Sequence, residues 1–313
     1  MVVISILFFL LGLALLLIGS EGIISKALAI SRLTKIPPLI IGATIVALGT
    51  SLPEITVSLF SGFEHVPGLA LGNIVGSNIA NIGLVLGITL IIQSVYVGRT
   101  KTQKNMVVTL IASIFLFVLL IVDGISLTEG IMLILLGFGV MIWQIVQGRK
   151  ADFEELENVN KSHGPILTTV LFLLSLGSLI IGGKLIVDAG VQIATFFNIP
   201  RSLIGATAVA VGTSLPELSI SILAAIKKGT TNEKKLIIGN ILGSNMYNIF
   251  FGVGVLALFG IPIFDSLISL YTFALFTIML AFLIFFYRGR NIPKYFGYVL
   301  LGGYLIYIYL LFS

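Results

Sequence analysis

Cysteine is absent from the 313 residues, which excludes a disulfide framework, a thiolate metal centre and a cysteine nucleophile. Charge is scarce: Asp, Glu, Lys and Arg make up 10% of the chain, against about 25% in soluble domains. The net charge of +5 is spread through short connections, so it marks no nucleic-acid face. No nucleophile–base triad, metalloprotease helix or phosphate-binding glycine loop occurs, and an enzyme is not indicated. Tryptophan occurs once, as Trp143 near the end of an apolar run, where it reads as an interfacial anchor. What the chain has in abundance is apolar sequence, 58% of its residues. The runs recur at about 17 to 25 residues, the length needed to span a ~30 Å hydrocarbon core.

Hydropathy predicts ten spans, over 2–25, 38–62, 68–92, 105–122, 128–147, 165–192, 201–226, 235–259, 266–287 and 293–312. The first run lacks a basic leader and continues into a helical pattern, so it reads as a span. A polar connection, 148–164, divides the chain into five spans (1–147) and five more (165–313), with no stretch left for a soluble domain. Taking alternate connections, one side collects 16 of the 18 Lys and Arg residues and the other only Lys184 and Arg201. The positive-inside rule then predicts a multi-pass cell-membrane protein with both termini outside and 148–164 in the cytoplasm.

An internal repeat runs through this pattern. Residues 40–54, IIGATIVALGTSLPE, match 203–217, LIGATAVAVGTSLPE, at 12 of 15 positions. Residues 72–87, GNIVGSNIANIGLVLG, match 239–254, GNILGSNMYNIFFGVG, at 9 of 16. Because each half holds an odd number of spans, the halves run through the membrane in opposite senses. The predicted fold is thus an all-α membrane protein, ten transmembrane helices in two inverted five-helix repeats. Such repeats place an ion site near the midplane, at their interface.

The polar residues within each copy share a surface. Ala47, Thr50, Ser51 and Glu54 follow i, i+3, i+4, i+7 spacing. Pro53 lacks an N–H and its ring crowds the Gly49 carbonyl, which predicts a kink. In the next span Ser77 and Asn81 are four apart, and Gly72 and Gly76 form a G-x-x-x-G pair suited to close helix approach. The second half repeats the set as Ala210, Thr213, Ser214, Pro216 and Glu217, then Gly239, Gly243, Ser244 and Asn248. No Lys or Arg lies in the central part of a span to pair with Glu54 or Glu217. A charge there costs about 2.5–3.5 kcal/mol even on insertion scales, and the chain accepts it twice, at equivalent positions. Carboxylates, hydroxyls, amides and freed carbonyls make an all-oxygen donor set, which suits hard cations such as Ca²⁺ and Na⁺.

These segments resemble the two α-repeats of the sodium/calcium exchanger branch of the cation/Ca²⁺ antiporter superfamily. The duplicated G-T-S-L-P-E followed by G-N-x-x-G-S-N carries the resemblance, which covers effectively the whole chain. It implies one Ca²⁺ site with neighbouring Na⁺ sites, held by the carbonyls of Ala47 and Ala210 and the side chains of Thr50, Ser51, Glu54, Ser77, Asn81, Thr213, Ser214, Glu217, Ser244 and Asn248. Glu54, Glu217, Thr50 and Thr213 would hold Ca²⁺ itself. The resemblance also implies exchange of three Na⁺ for one Ca²⁺, with the ions as substrates and no cofactor. No obligate protein partner is evident; the bilayer is the chain's surroundings. The proton-coupled branch carries Glu after G-N, where this chain reads GNIVGSN and GNILGSN, and the potassium-dependent branch carries Asp in place of Asn248. Both departures point to Na⁺ coupling without K⁺. The rival readings are a Ca²⁺/H⁺ antiporter using the same glutamates and, from another class, a cation channel.

Overall fold

A computed structural model describes residues 2–63, 67–122, 125–149, 164–196, 211–227, 231–259 and 267–312. Helix dominates, because a backbone in hydrocarbon must pair its polar groups internally. Among the described residues, seven helices are long and apolar enough to cross a membrane, and three shorter apolar helices accompany them. Each of the ten segments expected from hydropathy holds one of these helices.

The first helix is longer than expected, Val2–Thr34 rather than 2–25. Lys26 and Arg32 interrupt the hydrophobicity but not the helix, since both are good helix formers. What ends it is a hydrogen-bonded cap. The Ile36 N–H donates to the Ser31 carbonyl at 3.0 Å and the Lys35 N–H to that of Arg32 at 3.3 Å. Lys35 takes the left-handed φ of 57° that this cap requires, just before Pro37 and Pro38.

Burial sorts the helices by their place. The most apolar 18 residues of Asn232–Ala257 are all buried and those of Leu71–Ile92 are 83% buried, whereas those of Leu127–Gly148 are only 22% buried. The helices carrying the repeated motif therefore form the centre, and the purely apolar ones face outward with Leu135, Ile142, Leu275 and Ile278. Small residues let the central helices touch. A Cβ on Gly42 would strike the Leu236 carbonyl, one on Gly239 the Leu39 carbonyl, and one on Gly243 the Ala43 carbonyl at 2.5 Å. Gly239 and Gly243 thus act as the motif predicts. A Cβ on Gly72 would meet nothing within 4 Å among the described residues.

Helices Val2–Thr34 and Pro165–Phe196 lie along one another. A Cβ on Gly12 would meet the Gly182 carbonyl at 2.8 Å, and one on Gly182 the Gly12 carbonyl at 2.8 Å. Ser178 Oγ donates to the Leu15 carbonyl at 2.8 Å, so the contact is polar as well as close.

Two short strands, Val95–Tyr96 and Asn291–Ile292, pair antiparallel with Val95 opposite Ile292. Hydropathy does not predict this ladder. It ties the connection after the third span to the one after the ninth, and Lys101 Nζ reaches the Gly148 carbonyl at 3.3 Å. Connections that the charge tally assigns to one side are thereby in contact.

Candidate functional site

Both G-T-S-L-P-E segments break their helix at the serine. Ser51 has φ −83°, ψ 0° and Ser214 φ −85°, ψ 3°, and new helices run over Leu52–Phe63 and Leu215–Ile226. Pro53 and Pro216 sit in the first turns of these new helices, where a missing N–H costs nothing. Glu54 and Glu217 occupy the same turns, close to the free N–H groups that favour a carboxylate. The predicted kink is present, displaced from the proline to the serine two residues earlier.

The next helix of each half carries a matching irregularity. Residues Asn81–Leu86 and Asn248–Val253 form π-helical turns, each starting on the asparagine singled out by the repeat. A π turn inserts an extra residue into an α-helix and rotates the remainder of the helix, a feature common at functional sites. A further π turn, Gly42–Val46, precedes Ala47.

Between these breaks the polar side chains meet across the halves. Ser244 Oγ donates to Glu217 Oε1 at 3.1 Å, and Thr50 Oγ1 lies 3.4 Å from Ser244 Oγ and 3.4 Å from Asn240 Oδ1. The counterpart cluster has Ser77 Oγ 3.2 Å from Thr213 Oγ1, which donates to Asn73 Oδ1 at 3.1 Å. Glu54 interacts with the Ser77 and Thr213 hydroxyls and lies within electrostatic reach of Glu217. Four amides extend the site: Asn81 Nδ2 donates to Asn245 Oδ1 at 3.0 Å, and Asn248 Nδ2 to Asn78 Oδ1 at 3.3 Å. The Thr50–Ser244 and Thr50–Asn240 contacts of one cluster are matched by Thr213–Ser77 and Thr213–Asn73 in the other.

The sequence-predicted set is largely brought together. Thr50, Glu54, Ser77, Asn81, Thr213, Glu217, Ser244 and Asn248 share the network, and Ser51 and Ser214 are buried at the breaks. The Ala47 carbonyl accepts the Ser51 N–H at 3.0 Å and the Thr50 hydroxyl at 3.3 Å. Ala210 lies outside the described residues. Sequence reasoning missed Asn73, Asn240, Asn78 and Asn245. The signal was there, since Asn73 precedes Ser77 by four residues and so shares its face with Asn81.

Glu54 and Glu217 are the buried charged residues among those described. Glu217 Oε2, Ser51 Oγ, Ser214 Oγ, Asn81 Oδ1 and Asn248 Oδ1 are buried without a hydrogen-bond donor. Each unpaired polar atom costs about 1–3 kcal/mol, a penalty that a cation coordinating the oxygens would remove. A crevice of about 550 Å³ reaches this region, and its lining includes Lys184, Asp188, Pro53, Thr213 and Pro216.

Known proteins resemble the chain along most of its length. The family described as sodium/calcium exchanger protein matches the chain over residues 4–146 and again over 167–313. An uncharacterised membrane protein of Methanocaldococcus jannaschii is 39% identical over 259 residues, 83% of either chain. The sodium/calcium exchanger MaX1 of Methanosarcina acetivorans is 28% identical, across 100% of this chain and 99% of its own. Among solved structures, the sodium-calcium exchanger NCX_Mj soaked with Na⁺ and Sr²⁺ aligns with a TM-score of 0.85 and 35% identity, covering 98% of this chain and 99% of that one.

Proposed function

The chain belongs to the sodium/calcium exchanger family, and from that premise we propose that it exchanges Na⁺ for Ca²⁺ across the membrane, with Glu54 and Glu217 at the centre of the ion site. The single observation that carries this reading is the group of buried oxygens without donors around two buried carboxylates. Ca²⁺ takes 6–8 oxygens, and the two glutamates supply the formal charge that a dehydrated divalent ion needs.

Charge explains the coupling. A site at −2 is expensive to enclose away from water. One Ca²⁺ brings it to zero, two Na⁺ do the same, and three leave a single positive charge. The loaded protein therefore reorients and the empty one does not, which makes exchange obligatory. The family resemblance favours three Na⁺ per Ca²⁺, so each cycle moves charge. The amides of Asn81 and Asn248 add no charge, so the site needs no K⁺ counter-ion.

Access follows from the packing. In the orientation set by the basic connections, the crevice at Lys184 and Asp188 opens outward. The two halves act as inverted repeats around the site. The paired helices Val2–Thr34 and Pro165–Phe196 move together across the central helices to close this crevice and open the other side.

Glu54→Gln and Glu217→Gln test the site in purified, folded protein. Each should abolish Na⁺-driven Ca²⁺ uptake into vesicles. Near-normal uptake by either variant removes that residue from the site.

A further inference from the structure

A crevice of about 410 Å³ opens beside Trp143, away from the ion site. Its polar lining is Thr100, Gln103, Lys104 and Arg288. The two cations come from distant parts of the chain: Lys104 from the helix Thr100–Val122 and Arg288 from the connection that the strand ladder holds in place. Both are exposed, no carboxylate lines the crevice, and neither cation forms an ion pair among the described residues.

A second crevice, of about 360 Å³, shares Trp143 and is otherwise lined by Met132, Leu135, Leu136, Gly139 and Val140. Apart from the indole N–H its lining side chains are apolar. A Cβ on Gly139 would have nothing within 4 Å, so the groove deepens there. From Trp143 back to Met132 the helix rises about 16 Å, roughly the half-thickness of a ~30 Å hydrocarbon core.

A cationic pocket and an apolar groove one leaflet long, joined at an interfacial tryptophan, fit an amphiphile with an anionic head. We propose that they hold one anionic phospholipid, its phosphate between Lys104 and Arg288 and an acyl chain along the fifth span. The pocket lies on the side of the basic connections, where anionic lipid is expected to accumulate. Zwitterionic phosphatidylcholine would bring its own cation against Lys104 and Arg288. Free phosphate would leave the groove to other chains. This site stands or falls independently of which ions are exchanged.

Trp143, the only tryptophan in the chain, is a built-in reporter. The full-length protein is placed in vesicles mixing phosphatidylcholine with phosphatidylglycerol, with bromine on the acyl chains of one lipid or the other. Brominated phosphatidylglycerol should quench Trp143 more strongly at equal mole fraction, with a preference on the order of ten-fold for two basic contacts. Lys104→Gln combined with Arg288→Gln should bring the two lipids to equal quenching. Gly139→Leu, for which there is space, should fill the groove and do the same. Lys234→Gln with Lys235→Gln, which removes as much charge elsewhere, should keep the preference. Equal quenching in the unaltered chain overturns the proposal. So does a preference that survives at Lys104/Arg288 or at Gly139, or one lost equally in the Lys234/Lys235 pair.

Discussion

At the scale of single residues, the proposed exchange rests on charge held where charge is costly. Replacing either glutamate by glutamine keeps shape and removes one of two formal charges. Leaving a buried ion without its partner costs roughly 3–5 kcal/mol, two or more powers of ten in affinity. Ca²⁺ uptake should vanish in Glu54→Gln and Glu217→Gln while the detergent-solubilised protein remains monodisperse. Asn248 carries a finer expectation. Exchange by the unaltered protein should be the same in K⁺ as in choline, because this amide adds no charge. Asn248→Asp should stay partly active and become pH-dependent, since a third buried carboxylate near two others is pushed towards its protonated form. A several-fold K⁺ requirement in the unaltered protein would show that the charge at Asn248 does not set the coupling. Much of the site was legible at this scale, because duplication singled out Thr50, Ser51, Glu54, Ser77 and Asn81 with their counterparts. Asn73, Asn78, Asn240 and Asn245 were not picked out, although they sit inside the repeated G-N-x-x-G-S-N. Spacing puts Asn73 on the face of Ser77 and Asn81, but the partners of all four amides lie in the other half, which spacing within one helix does not describe.

At the scale of elements, breaks and close approaches organise the molecule. Helix breaks at Ser51 and Ser214 and π turns starting at Asn81 and Asn248 occur in equivalent pairs. Proline announced the former; no composition announces the latter. A π turn is a redistribution of backbone hydrogen bonds imposed by packing, and so it was invisible in sequence. The length of the first helix escaped for a different reason. Hydropathy reports where a chain meets water, not where its helix stops, and the stop depends on Lys35 adopting a positive φ. Glycines make this scale testable. Gly182→Val forces a side chain against the Gly12 carbonyl and should destabilise the pair of helices by about 1–3 kcal/mol. Gly302, in the helix Tyr295–Phe312, has open space around it, and Gly302→Val is expected to leave melting temperature and uptake close to those of the unaltered protein. Equal melting temperatures for the two variants would mean that the helices are not in close contact at Gly182.

For the whole molecule, the apolar helices and the central place of the motif-bearing ones follow from the sequence by simple physics. Apolar runs must be helical in lipid, and runs interrupted by polar residues must be buried inside others. Orientation is open to direct measurement. Single cysteines at Asn160 and Ser313, placed in this cysteine-free chain, allow labelling of intact cells with an impermeant thiol reagent. Ser313→Cys should label and Asn160→Cys should not; the reverse pattern inverts the orientation and the direction in which the crevice opens.

The central claim is that two buried glutamates couple Ca²⁺ movement to Na⁺. The most direct measurement is ⁴⁵Ca²⁺ uptake by purified protein in vesicles, driven by an outward Na⁺ gradient or, in parallel, by an outward H⁺ gradient without Na⁺. Uptake is expected under the Na⁺ gradient, with none above background under the H⁺ gradient and none in Glu54→Gln or Glu217→Gln. Uptake driven by H⁺ alone, with no response to Na⁺, would contradict the claim and assign the same two carboxylates to proton exchange.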